Sequence, residues 1–156
     1  MNFEFSEEQQ MLREQARGFL TEHCSTSVVR AVLDSNEDWD AGLWKKVADM
    51  GWTATVIPEA YGGLGLSYYE LAILAEEMGR SAAPLPFSSS LYLASEAIRH
   101  FGNESQKSEW LPKLASGECV ATVAMAERAG RLVLDQLQTR RTDSQITGHK
   151  VPVADA

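Results

Sequence analysis

Two short stretches, Ser6-Glu7-Glu8-Gln9 and Ser67-Tyr68-Tyr69-Glu70, constrain the fold of this chain more than any others. Both have the capping-box pattern. A serine hydroxyl accepts from the backbone three residues on, and the Gln or Glu there reaches back to the serine amide. Each box leads into apolar residues at helical spacing: Met11, Leu12, Ala16, Phe19 and Leu20 after the first, and Leu71, Leu74, Ala75 and Met78, broadened by Ile73, after the second. Phe5, just ahead of the first cap, is placed to staple Gln10 or Met11.

The punctuation between and beyond these boxes is also helical. Val28, Val29, Val32 and Leu33 mark a short helix over 27–34. Asp40 caps a third helix, through Leu43, Trp44, Val47 and Met50, which Gly51 terminates. Trp52 to Ile57 is a short β-branched stretch ended by Pro58, and Gly79 closes the helix that Ser67 opens. After the proline-marked loop SAAPLPFSSS, the residues Leu91, Ala94, Ala97, Ile98 and Phe101 form a helix stopped by Gly102. Asn103 caps the next, through Trp110, Leu111 and Leu114, bent by Pro112 and ended by Gly117. These stripes have only one another to face, so Trp44, Leu71, Leu74, Leu91, Ile98 and Trp110 are expected in or near the core. Glu76 and Glu77 are expected on the solvent side of their helix.

From Glu118 onward the character changes. CVATVAMAE reads as a strand, VLDQLQTRRTD lies between strand and helix, and Ser144 to Val153 offers turn residues followed by strand-like valines. Two or three strands cannot close a barrel or bury both faces. The end of the chain therefore reads as the opening of a second, incomplete domain.

Charge narrows the choice of partners. Fourteen basic residues against 22 acidic ones leave a net −8, which opposes nucleic acid and anionic membrane surfaces. No apolar run reaches membrane-span length, and the polar, acidic opening does not resemble a signal peptide; a cytoplasmic location is expected. Cys24 and Cys119 stand far apart without a CxxC pair, and His23, His100 and His149 are scattered. They read as buried free thiols and as surface or boundary residues, with no metal site.

The glycine cluster in PEAYGGLGLS invites a phosphate-binding reading that its residues refuse. A Walker loop needs Lys and Ser or Thr after its last glycine, and Gly65 is followed by Leu66. The dinucleotide fingerprint needs a third glycine where Tyr68 stands. A tight turn feeding a capped helix remains.

Order and spacing say more. Trp44 and Gly51-Trp52 precede PEAYGGLGLS; then come EEMGR, the proline loop and FGNESQKSEWLPKLASGE. In that arrangement the chain resembles the amino-terminal part of the acyl-CoA dehydrogenase family, from Phe5 almost to its end. The resemblance implies a mainly α chain. An acyl-CoA dehydrogenase-like amino-terminal helical domain occupies 1–117, and the first strands of an incomplete β-barrel domain occupy 118–156.

The resemblance also implies FAD-dependent α,β-dehydrogenation of an acyl-CoA thioester. In the family the proton-abstracting glutamate belongs to a later helical bundle, so no catalytic residue is carried onto this chain. The family's flavin-facing Tyr-x-x-Thr-Glu-Pro falls on Val123 to Arg128, where only Glu127 matches; the hydroxyls are absent at Val123 and Ala126. Gly148-His149-Lys150 matches a Gly-x-Lys turn, but the tryptophan and threonine that follow in the family are Pro152 and Ala154 here. Val123, Met125, Ala126, Glu127 and Ala154 are thus the implied cofactor residues, largely through backbone. Phe87, Leu91, Ala94 and Ser95 are the implied acyl-chain lining. Arg128 and Arg131 stand where the family keeps small residues, suited to a salt bridge, a subunit contact or solvated surface. Implied partners are an acyl-CoA, further dehydrogenase subunits in a homo- or hetero-oligomer, and an electron-transfer flavoprotein. Two other readings stay open: a flavin-free scaffold or partner subunit of a hetero-oligomeric dehydrogenase, and a helical interaction module unrelated to acyl-CoA.

Overall fold

A computed structural model describes residues 4–130 and 132–155; Arg131 lies outside the described residues. The elements run α1 (Glu7–His23), α2 (Thr26–Leu33), α3 (Ala41–Asp49), α4 (Tyr68–Arg80), a π-helical stretch (Ser88–Ala94) continuing into α5 (Ser95–Phe101), then α6 (Glu104–Ala115). Two three-residue strands follow, β1 (Arg140–Thr142) and β2 (Gln145–Thr147). They pair antiparallel with Arg141 opposite Ile146. The chain is mainly helical, with a β region only beginning at its end.

Both serine capping boxes form as the sequence requires, and Asn103 with Gln106 makes a third at the start of α6. Asp40 accepts from the Leu43 amide at 2.8 Å to open α3. Because caps use only residues within one turn, they hold irrespective of what packs around them.

α1 packs on α4, and α5 on α6. The main core joins Leu20, Trp44, Val47, Trp52, Leu74 and Leu91 among others. A smaller cluster around Ile57, Leu111 and Leu114 lies under α6. The β-branched stretch after Gly51 is not a strand but a run of tight turns, and every residue from Trp52 to Ile57 is buried. Its hydroxyls explain how polar groups survive there: Thr53 donates to the Ala115 carbonyl at 2.7 Å and Thr55 to the Trp52 carbonyl at 2.7 Å.

Six expectations are corrected, the last being Glu77, which is buried rather than solvent-facing. Gly79 does not close α4, which runs to Arg80. Ala82 takes the left-handed position instead (φ 48°), while the Ala83 amide reaches back to Met78 and the Ala82 amide to Gly79. Phe5 meets Gln10 through its backbone rather than its ring: Gln10 Nε2 donates to the Phe5 carbonyl at 3.0 Å, and the Arg13 guanidinium lies 4.4 Å over the ring. The helix after the proline loop starts earlier than its apolar stripe suggests, in the serines at 88–90. CVATVAMAE forms no strand: a ladder needs a repeating set of backbone bonds, and among the described residues the neighbouring segment 148–151 supplies a single one, from the Val151 amide to Ala126.

The fifth concerns Trp110, expected in the core but 39% exposed. It borders an open apolar groove with Ile98, Phe101 and Cys119, its ring covered by the Lys113 ammonium at 4.8 Å. Trp110→Ala should therefore lower stability in urea unfolding by about 1 kcal/mol, not the roughly 3–5 of a buried tryptophan. Ile98 is partly buried against the smaller cluster; Trp44, Leu71, Leu74 and Leu91 are buried. Cys24 is buried and free, with burial, then Asp40, raising its thiol pKa; Cys119 is free and half-buried.

Candidate acyl-binding site

The glycine turn holds no phosphate cradle, because its amides are already used. Gly62 donates to Glu59, Gly63 to Pro58, Leu64 to Ala54, Gly65 to Ile57 and Leu66 to Thr55, at 2.8–3.2 Å. The turn folds back over 54–59 and sets the start of α4, and with it the direction in which Tyr68 projects.

Phe87, Leu91, Ala94 and Ser95 come together on the buried side of the π-helical stretch and the first turn of α5, each at most 3% exposed. Phe87 and Leu91 belong to the main core, and Ser95 donates to the Ser90 carbonyl at 2.7 Å. The other side of the same element faces α4 across an open groove of about 480 Å³, lined by Tyr68, Leu71, Ala72, Ala75, Tyr92 and Glu96. Its floor is apolar. Burial pushes the Tyr92 phenol up to about 12, so Tyr92 enters as a neutral ring. Tyr68, Ala72 and Ala75 were not singled out as site residues from the sequence. Their signal was a second face on α4, at i, i+4 and i+7, where small residues leave room above a tyrosine.

Glu96 closes one end of the groove. Its carboxylate accepts from the Tyr68 hydroxyl and from Arg99, and His100 Nε2 lies 3.2 Å away. The Arg99 guanidinium sits 5.8 Å over the Tyr68 ring. The hydrogen bond to Glu96, more than any other influence, raises the Tyr68 pKa.

The cofactor candidates lie elsewhere. Val123 and Ala126 are half-buried, Met125 is half exposed, and Ala154 is exposed. Glu127 ties this segment together. It accepts from the Thr139 hydroxyl at 2.5 Å, from the amides of Gln138 and Thr139 at 2.6 and 2.7 Å, and from Lys150 Nζ at 3.0 Å. These bonds, the Thr139 hydroxyl first, lower its pKa to about 2. Lys150 also donates to the Met125 carbonyl at 3.1 Å, and the Val151 amide to Ala126 at 2.8 Å. Thus 123–127 and 148–151 are brought together, as the two motif halves require. Ala154 instead neighbours Asp155, which accepts from Ser89.

These side chains do not fit a flavin ring. Val123, Ala124, Met125 and Ala126 carry no donor or acceptor, Glu127 is spent on its own chain, and Arg128 donates to Gln136. The depression between Ala126 and Gln138 is about 140 Å³, well below the roughly 300–1,000 Å³ of small-molecule sites. The groups left to meet a cofactor are the neighbouring Thr122 hydroxyl, buried without a hydrogen-bond partner among the described residues, and the backbone of 123–126.

Residues 6–118 match the acyl-CoA dehydrogenase amino-terminal domain family. The chain belongs to that family. It is similar to isovaleryl-CoA dehydrogenase of Pongo abelii, 36% identical over 125 residues, which cover 78% of this chain and 29% of the relative. The chain thus spans about three-tenths of that dehydrogenase's length. Among solved structures it resembles the ChsE4-ChsE5 complex of Mycobacterium tuberculosis, at 26% identity and TM-score 0.85 over 98% of this chain and 42% of the other. It also resembles an acyl-CoA dehydrogenase complexed with FAD from Bacillus anthracis, at 29% identity and TM-score 0.74 over 82% and 22%. Among the described residues no helix is long and apolar enough to cross a membrane.

Proposed function

We propose that these residues form the amino-terminal portion of a flavin-dependent acyl-CoA dehydrogenase acting by α,β-dehydrogenation of an acyl-CoA thioester. The helical domain is 1–117 and the start of the β domain 118–156. The single observation that carries this reading is the family match over 6–118, whose α4 and π-helical stretch border the open apolar groove. The reaction takes a proton from the α-carbon and a hydride from the β-carbon, and neither acceptor is assigned to a residue here. This chain's part is to receive the acyl group between α4 and the π-helical stretch and to keep water from it. Phe87, Leu91, Ala94 and Ser95 hold that stretch from behind.

FAD is the cofactor proposed for the assembly. Val123, Met125, Ala126, Glu127 and Ala154 contribute backbone at most, and the flavin's side-chain contacts come from outside these residues. A second reading is favoured by the same donor-poor segment: a non-catalytic subunit whose dehydrogenase partner carries the flavin, in keeping with the two-component complex it resembles. Under both readings the partners are an acyl-CoA, further dehydrogenase subunits and an electron-transfer flavoprotein, and the location is cytoplasmic.

The purified 156-residue chain, offered isovaleryl-CoA or octanoyl-CoA with an artificial electron acceptor, is expected to show no turnover and no flavin absorbance. Measurable turnover would overturn the placing of base and flavin contacts elsewhere.

A further inference from the structure

The groove between α4 and the π-helical stretch is apolar along its floor but not at its end, and that end holds a matched pair of charges. Glu96 is the only charged residue among those lining the groove, with its side chain 19% exposed. Arg99 lies behind it, 21% exposed, and neutralises it. We propose that Glu96, held by Tyr68 and Arg99, selects acyl groups that are apolar along their length and carry a hydroxyl at the far end. This rests on the reading of the groove as the acyl site.

The choice of a hydroxyl follows from the partners present. The Glu96 carboxylate accepts one bond on Oε1, from Arg99, and bonds from Tyr68 and His100 fall on Oε2. A carboxylate has about four acceptor positions, so Oε1 retains capacity for one more donor. Arg99 donates through Nη1 to Glu96 and, at 3.4 Å, to the Tyr68 oxygen. A hydroxyl can donate to Glu96 from the groove and brings no charge of its own. A terminal carboxylate would meet the Glu96 charge directly. A terminal ammonium would find that charge already offset by Arg99, and further by His100 when protonated. A bare methyl end would leave Glu96 desolvated without a new partner, which costs affinity. The analogue lacking the hydroxyl is disfavoured because Glu96 loses water on its groove side without gaining a donor.

The test uses the full 156-residue chain, labelled with 15N, titrated with octanoate and with 8-hydroxyoctanoate as probes. Saturable amide shifts are expected at Tyr68, Ala72, Ala75 and Glu96, with 8-hydroxyoctanoate binding about tenfold more tightly. Glu96→Leu should abolish the preference by tightening octanoate binding severalfold, since no carboxylate is then desolvated against the methyl end. Should Glu96→Leu fail to fold, Tyr68→Phe, which removes only the hydroxyl that positions Glu96, should reduce the preference severalfold. Equal affinities, or a preference unchanged in the foldable variant, would overturn the proposal while leaving the groove an acyl site. Absence of shifts with either probe would overturn the proposal and the acyl reading of the groove together. The dehydrogenase reading itself is judged separately, by turnover and flavin content.

Discussion

Gly63→Ala is expected to destabilise the chain by about 3 kcal/mol or more, the largest effect foreseen for a single methyl group. A Cβ at this position would lie 1.9 Å from the Ile57 carbonyl oxygen, 2.4 Å from its carbon and 2.6 Å from the Ile57 Cβ. None of these is a flexible side-chain end, so the turn itself must move. Moving it strains three bonds that cross the turn: Leu64 to Ala54, Gly65 to Ile57 and Leu66 to Thr55. Leaving buried backbone groups unpaired costs about 1–3 kcal/mol each. Gly62, at φ 79°, separates the two effects. A Cβ there meets nothing within 4 Å, so Gly62→Ala should cost only the left-handed backbone term, about 1 kcal/mol. Urea unfolding of both variants checks the pair. Similar costs at the two positions would show that the close approach at Ile57 is not what demands glycine.

Arg17→Ala is expected to lower the urea midpoint of unfolding clearly, because it removes two of the three arginine bonds to a buried carboxylate. The Glu77 side chain is completely buried, against the expectation that it faces solvent. Arg17 of α1 grips it in a fork, Nε to Oε2 at 3.1 Å and Nη2 to Oε1 at 2.7 Å. Arg80, one turn on along α4, donates to Oε2 at 2.7 Å. Arg17 is 53% exposed and Arg80 42%, so the arginine heads reach water while the carboxylate does not. Arg17, ahead of Arg80, lowers the Glu77 pKa to about 2. A lowered carboxylate pKa stabilises the folded state fully above its unfolded value, near 4.3. That contribution is lost as pH falls from there toward about 2. Acid unfolding of the native chain should steepen in that window. Glu77→Gln should be less stable at neutral pH and lose less between pH 4.3 and 2. An unchanged acid limb in Glu77→Gln would show that another group governs it.

What could be read from the sequence was local. The boxes at Ser6 and Ser67 and the cap at Asn103 depend on residues within four positions of one another, and the family motifs depend on spacing along the chain. Both are properties of sequence alone, so the capped helix starts, helical class and family were legible in the residues. What the tertiary structure decided was which face of each helix is covered. Glu77 is buried because α1 brings Arg17 across α4 to meet it. Trp110 stays partly in water because the groove that it shares with α5 and with 119–121 lies open. Ala72 and Ala75 border a groove rather than a packed interface because the π-helical stretch stands off at Tyr92 and Glu96. CVATVAMAE is valine-rich, yet a strand exists only when a second segment supplies its hydrogen bonds. Covering, pairing and standing apart are set between segments distant in sequence, and no window of neighbouring residues encodes them.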